Sequence, residues 1–319
     1  MKIICTTVVR AAKQGDIHGG LYVVDWNSDE VVHYAPYEKD FINDNERGGE
    51  RGLRGIAVLD DRIIVSDSAG FIELDKNTYE IKRTFQDPDY FKSIHEIVFH
   101  EDHIWATSTA YDAVVKLDLN FNIKGFWEIL GKNFENHKLL TGKKEVTPDT
   151  KTENDNFHIN SLCVFDNRLL VSGLLTPLYD LEDMKPVCPV PTISMLDDKP
   201  AGNQNSFVHN FYEYEDVFVA NLTSYSAIGF FDKQFVGYGW YNNIGIPRSK
   251  NVKYQVDEVA VNNWNRGLAR LGDKLIIGSS PARILVYDLK SRKFEKEIAL
   301  ETDIRPAIHG LEVLESSSI

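Results

Sequence analysis

The sequence predicts an all-β chain folded as a six-bladed β-propeller. Three observations carry that prediction. A short pattern recurs six times, each copy reads as strands, and the two ends of the chain supply complementary parts of one blade. The pattern is a polar residue, an apolar run, a tight turn and a second apolar run. It reads RGIAVLDDRIIVS (54–66), HEIVFHEDHIWAT (95–107), NSLCVFDNRLLVS (160–172), HNFYEYEDVFVAN (209–221), RGLARLGDKLIIG (266–278) and HGLEVLE (309–315). Repeats spaced by roughly 40 to 65 residues mark a repeat architecture in which one supersecondary unit recurs.

In chain order, MKIICTTVV, GGLYVVDW and EVVHYAP give three strands without an innermost one. The second copy of the unit continues through GFIELDKN and YEIKRTF. The third runs from HEIVFHEDHIWAT into AVVKLDLN (113–120) and IKGFWEI (123–129). Apolar residues separated by turn residues, with four such runs per unit, make an antiparallel four-stranded blade. After NSLCVFDNRLLVS the pattern lapses over 174–206, where Pro177, Pro186, Pro189, Pro191 and Pro200 break regular runs. RILVYDLK and KFEKEIAL complete the unit that starts at Arg266. HGLEVLE then stands as an innermost strand without followers, so the C-terminal strand joins the N-terminal three in one blade. That closure removes two exposed sheet edges. A seventh blade would have to come from 174–206, which holds no further copy of the pattern.

One domain spans 1–319, with long polar insertions at 36–52, 130–157 and 240–263. These join the outer strand of one blade to the inner strand of the next. The turns after the inner strands are tight: Asp60-Asp61, Glu101-Asp102, Glu215-Asp216 and Gly272-Asp273. Alternate connections of an up-and-down sheet emerge on opposite faces, so the long loops share the face where inner strands begin. Long loops on a rigid scaffold are where function concentrates.

The formal net charge is −13, which disfavours nucleic acid and anionic membranes as partners. Cys5, Cys163 and Cys188 are scattered and match neither a disulfide framework nor a zinc motif. The N-terminal apolar run ends at Arg10, too short for a signal core or a membrane span. The expectation is a soluble, cytoplasmic protein.

The repeat also gathers chemistry. Arg54, His95, Asn160, His209, Arg266 and His309 each begin an innermost strand and would ring the mouth of the central channel. His158 precedes this column by two residues in its own repeat. Imidazoles converging from separate strands suit a divalent metal such as zinc, iron, manganese or magnesium, with His95, His209, His309 and His158 as ligands. Glu96 beside His95 is a candidate general base. Arg54, Asn160, Arg266, Arg51 in RGGERGLRG (47–55) and Arg305 before His309 would hold a small anion, because guanidinium groups match carboxylates and phosphates. The alternative for the arginines is pairing with nearby acids such as Asp67. Tyr111 and Tyr225 occupy equivalent turns and are candidate proton donors.

These blades resemble the broad six-bladed group of lactonase-like, strictosidine-synthase-like and NHL-type propellers. The histidines at the mouth are similar to those of streptogramin-lyase-type propellers, and that resemblance implies metal-assisted elimination. The function expected is a metal-dependent lyase or hydrolase for a small anionic substrate. Competing expectations are a non-catalytic propeller binding a peptide, protein or sugar on its long-loop face, and a His-ligated iron oxygenase.

Overall fold

The computed structural model describes residues 1–39, 52–129, 155, 157–173, 176–183, 185–188, 208–215, 217–223, 226–232, 237–242 and 263–314. Among them the strands pair into six four-stranded antiparallel sheets. The first sheet holds β1 (Lys2–Val9), β2 (Gly19–Asp25), β3 (Val31–Tyr37) and, on the inner side of β1, β24 (Pro306–Leu314). The second runs β4 (Ile56–Val58), β5 (Arg62–Ser66), β6 (Gly70–Asp75) and β7 (Ile81–Gln86). The third runs β8 (Ile97–His100), β9 (His103–Ser108), β10 (Ala113–Leu117) and β11 (Ile123–Glu128). The fourth holds β12 (Ile159–Phe165), β13 (Arg168–Gly173), β14 (Thr176–Asp180) and β15 (Lys185–Cys188). The fifth holds β16 (Val208–Tyr214), β17 (Val217–Leu222), β18 (Ala227–Asp232) and β19 (Gly237–Asn242). The sixth holds β20 (Leu268–Leu271), β21 (Lys274–Ser279), β22 (Arg283–Asp288) and β23 (Lys293–Ala299).

The chain ends meet as the sequence predicts: β24 pairs with β1, Cys5 opposite Leu311 and Val8 opposite Ala307. The blade begun by Asn160 is fuller than its sequence pattern. Its third and fourth strands fall inside 174–206, with Pro177 in β14 and Pro186 in β15. Proline hides these strands from a periodicity reading, and the edge strand β15 is where a ladder tolerates it.

Burial explains why inner and outer strands read so differently. β1 is buried at almost every position, whereas β7 alternates exposed and half-buried residues. Consecutive side chains of a strand point to opposite faces. Ile3 and Cys5 therefore pack with Ala269, Ile276 and Ile284 on one side, while Ile4 packs with Ile56, Ile63 and Val65 on the other. Phe71 and Ile104 share the next cluster, Trp105 and Leu169 the one after, then Leu170 with Phe218, and Val219 with Leu275. Each cluster lies between two neighbouring sheets, so every blade is a sandwich filling with no solvent face in its inner half. The innermost strands also touch in cyclic order, β4 to β8, β12, β16, β20, β24 and back to β4. This is a propeller arrangement.

Polar ties lock the inner strands together. In Arg54-Gly55 and His309-Gly310 the residue after the polar starter is glycine, because a neighbouring strand passes too close for a side chain. A Cβ on Gly310 would lie 2.1 Å from the Arg54 carbonyl, and one on Gly55 would lie 2.5 Å from the Ile97 nitrogen. Elsewhere the same position carries a bridging side chain. Glu96 accepts the Leu162 amide at 2.8 Å and the Asn210 side-chain amide at 2.7 Å. Asn210 in turn accepts the Gly267 amide at 2.8 Å. One chain of hydrogen bonds thus crosses from the third sheet's edge to the fourth, fifth and sixth. Asn210 also sits at φ +53°, a left-handed conformation that asparagine tolerates better than most residues.

Asn210→Ala should therefore lower stability by about 2–4 kcal/mol, since it strands the Glu96 carboxyl and the Gly267 amide and strains the backbone. Urea unfolding measures this. A loss under about 0.5 kcal/mol, the usual range for a neutral surface change, would show the chain of bonds to be incidental.

Candidate functional site

The six polar starters come together where the innermost strands begin. Arg54, His95, Asn160, His209 and His309 are buried and Arg266 is half-buried. The His95 ring lies 4.8 Å from that of His158 and 5.2 Å from that of His309, both edge to face. Arg54 reaches the Ile94 carbonyl at 3.1 Å and stands 3.4 Å from His95 Nδ1. Arg266 Nη1 donates to His309 Nε2 at 3.0 Å. Cationic and imidazole groups are thus interleaved around the ring.

Local hydrogen bonds fix which imidazole nitrogen carries the proton. His95 Nδ1 lies 2.8 Å from the Ser93 carbonyl and 2.8 Å from Thr109 Oγ1. Thr109 spends its own proton on the Ile159 carbonyl at 2.6 Å, so it accepts from His95. The Ser93 carbonyl only accepts, so Nδ1 carries the hydrogen, the longer Arg54 approach is a contact and not a hydrogen bond, and the lone pair lies on Nε2. His209 repeats the device: its Nδ1 lies 2.8 Å from Thr223 Oγ1, which donates to the Asn265 carbonyl at 2.8 Å. His309 has the same tautomer, but there the lone pair on Nε2 is the engaged atom. Guanidinium has no acceptor, so His309 Nε2 holds the lone pair that receives Arg266, and Nδ1 carries the hydrogen. That Nδ1 is buried without a hydrogen-bond partner among the described residues, as are both polar atoms of the Asn160 amide.

His158 is placed by a carboxylate from the neighbouring blade. Asp112 accepts the His158 amide at 2.9 Å and the Phe157 amide at 3.1 Å, and holds His158 at φ +54°. Its Nδ1 faces Asp155 at 2.9 Å, which presents Nε2 as the basic atom.

The electrostatics of the mouth are one-sided. Burial first, then Arg54, His158, His309 and Arg266, push His95 well below the ordinary histidine range. Burial, Arg266, Arg54, His209 and Arg10 do the same to His309. Arg266 is lowered by burial, Arg10 and Arg54. A guanidinium nonetheless stays charged near neutrality. His95 and His309 are therefore neutral, and the Arg54 and Arg266 guanidinium groups share a poorly solvated space. Asp67 does not relieve them: it is fully buried and taken by Tyr37 at 2.7 Å, Lys39 at 3.0 Å and Gln86 at 3.0 Å.

A cavity of about 390 Å³ opens beneath the mouth, with His95 and His309 at one end and Glu96, Asn210 and Glu312 along its wall. Burial raises Glu96 to about 7 against three hydrogen bonds, from Leu162, Asn210 and Ser161, that oppose the shift. Glu96 is thus committed to the inter-blade ties described above and is not a base poised beside the histidines. Burial and the nearby Glu96 raise Glu312 to about 8.

Other sequence candidates lie elsewhere. Arg305 pairs with Asp303 at 2.7 Å and lines a second cavity with Tyr22 and Tyr34. Tyr111 donates to the Pro88 carbonyl at 3.2 Å. Arg51 and Tyr225 fall outside the described residues. Sequence reasoning missed Arg10, whose guanidinium lies 5.6 Å from the Trp264 ring centre, and it missed Thr109, Thr223, Asp112 and Asp155. The two threonines had a legible signal, since each follows its histidine by fourteen residues.

The expected metal was weighed against this donor set. Among the described residues no group of three or more His, Cys, Asp or Glu side chains is arranged to hold a metal ion. The His309 lone pair is engaged by Arg266, Glu96 is engaged elsewhere, and guanidinium groups flank what remains.

Known structures bear on the fold. No family model and no curated protein matches the chain. A protein of unknown function from Bacteroides caccae superposes with a TM-score of 0.58 at 8% identity, covering 97% of this chain and 98% of that one. A chain of the nidogen/laminin complex gives 0.58 at 8% identity, with 98% of both chains covered. The Cps50 (Swd1) β-propeller domain of Myceliophteria thermophila gives 0.50 at 8% identity, over 92% and 85%. At such identities the likeness establishes a β-propeller and no more. Among the described residues no helix is long and apolar enough to cross a membrane.

The Glu312 carboxyl titrates near 4.5 unfolded and near 8 folded, so the folded chain binds more protons in between. Stability then falls as pH rises across that window. Glu312→Gln, which cannot ionise, should raise the melting temperature at about pH 8 and change it little at about pH 4. An equal shift at both would contradict this placement of the carboxyl.

Proposed function

We propose that this chain is a six-bladed propeller that takes a small anionic molecule, a carboxylate or a phosphate, into the mouth of its central channel. One observation carries the reading. Arg54 and Arg266 stand against His95 and His309, and Arg10 is among the cations that lower Arg266 and His309. A bound anion would be drawn to these buried guanidinium groups. Guanidinium groups and the His309 Nδ1–H offer the donors that carboxylate or phosphate oxygens need. Buried Asn160, with no partner among the described residues, adds further donors at the same ring position.

Chemistry on the bound anion would fall to His158. Asp155 keeps the proton on Nδ1 and stabilises the imidazolium that forms when Nε2 accepts a proton from the ligand or from water. The guanidinium groups would hold negative charge that develops on the ligand. Elimination or hydrolysis follows from that pairing, without a metal in the step.

The test is a pair of measurements on Arg266→Met. Removing one of the crowded cations should leave the free protein as stable as the parent or more so, as happens when a binding site stores unfavourable interactions. The same change should weaken binding of inorganic phosphate or succinate, whichever the parent binds, by about tenfold or more in calorimetric titration. If Arg266→Met destabilises the free protein while anion binding persists, Arg266 is a structural ion-pair partner and the reading fails.

A further inference from the structure

We infer that the ligand of this mouth is a hydroxylated anion, a hydroxy acid or a polyol phosphate, in which an anionic head is accompanied by neutral O–H groups. The inference rests on the anion site proposed above and deepens it. It follows from counting donors and acceptors. Arg54, Arg266 and His309 Nδ1–H only donate, and a carboxylate or phosphate answers them. His95 presents the opposite atom. Its proton is held on Nδ1 by the Ser93 carbonyl and Thr109, so the nitrogen left for a ligand, Nε2, is an acceptor. An anionic oxygen brought to that lone pair would be repelled. Asn160 adds an acceptor of the same kind, because its buried amide oxygen and nitrogen both lack partners among the described residues. A buried amide without partners is costly, so the site calls for a group that both gives and receives hydrogen bonds.

Two donors could meet these acceptors, an ammonium group and a hydroxyl. The ammonium is disfavoured by the guanidinium groups that already crowd the mouth. The hydroxyl is neutral and can donate to His95 or Asn160 while accepting from an arginine. The cavity below agrees. Its volume of about 390 Å³ suits a small molecule, and its wall carries Glu96, Asn210, Tyr212, Arg270 and Glu312 between the apolar residues. A polyhydroxylated tail meets hydrogen-bonding partners there, whereas an alkyl tail would strip water from those groups without replacing it.

The experiment is a calorimetric comparison of two matched pairs with the intact protein: tartrate against succinate, and glycerol 3-phosphate against propyl phosphate. Members of a pair have the same anionic groups and differ in hydroxyls. In at least one pair the hydroxylated member should bind about tenfold more tightly, the worth of one or two well-placed hydrogen bonds. Asn160→Ala should bring the two members of that pair to within roughly twofold of each other. His95→Ala serves the same purpose should Asn160→Ala fail to fold. Equal binding within both pairs overturns the hydroxylated class and leaves the anion site standing. Absence of binding by all four overturns the anion site itself.

Discussion

A single hydroxyl, that of Thr109, joins the architecture to the chemistry. It accepts the proton of His95 and passes its own to the first carbonyl of the neighbouring blade's inner strand. The same atom thus holds two blades at a fixed separation and decides which face of the imidazole looks into the channel. Thr223 does this again for His209 and the blade that follows. Thr6 is a variant of it, donating to the Arg54 carbonyl and accepting the Gly310 amide at 2.9 Å. The inner strands approach so closely that each starter must be followed by glycine or by a side chain that bonds across the gap. Once the ring is drawn this tight, the polar starters have no room to avoid one another.

That crowding is the price of the fold, and it is selective. Two sandwich faces per blade bury the apolar side chains, so the channel is left to polar ones. Three of the described acids nearby are committed elsewhere. Asp67 serves Tyr37 and Lys39, Glu96 serves Leu162 and Asn210, and Asp303 serves Arg305. A chain of net charge −13 thereby keeps a cluster of arginines at the mouth of its channel.

Much of the fold was legible because it rests on repetition. The six starters, the tight turns after the inner strands and the split N- and C-terminal blade all follow from aligned patterns, and β24 pairs with β1 in the expected way. The strands β14 and β15 were hidden because their prolines resemble breakers when read without knowing which strand lies at an edge. At the site, the position of the starters was legible and their roles were not. Glu96 looked like a base because of its neighbour in sequence, but its partners are Leu162 and Asn210, each many residues away. His309 looked like a ligand because histidine often is, and only the approach of Arg266 shows its lone pair to be taken. Arg305 shares the loop face by sequence and still turns to Asp303. Candidate metal ligands and candidate anion-binding residues are neighbours at the mouth, since Arg54 adjoins His95 and Arg266 adjoins His309.

The central claim is that the mouth is a site for a small anion. Crystals soaked in selenate, with selenium anomalous scattering collected at its absorption edge, test it most directly. The account predicts an ordered anomalous peak at the mouth, within about 3 Å of the Arg266 guanidinium and of His309 Nδ1. Selenate ordered only on the outer surface, with manganese soaked into the same crystals bound among His95, His158 and His309, would contradict it.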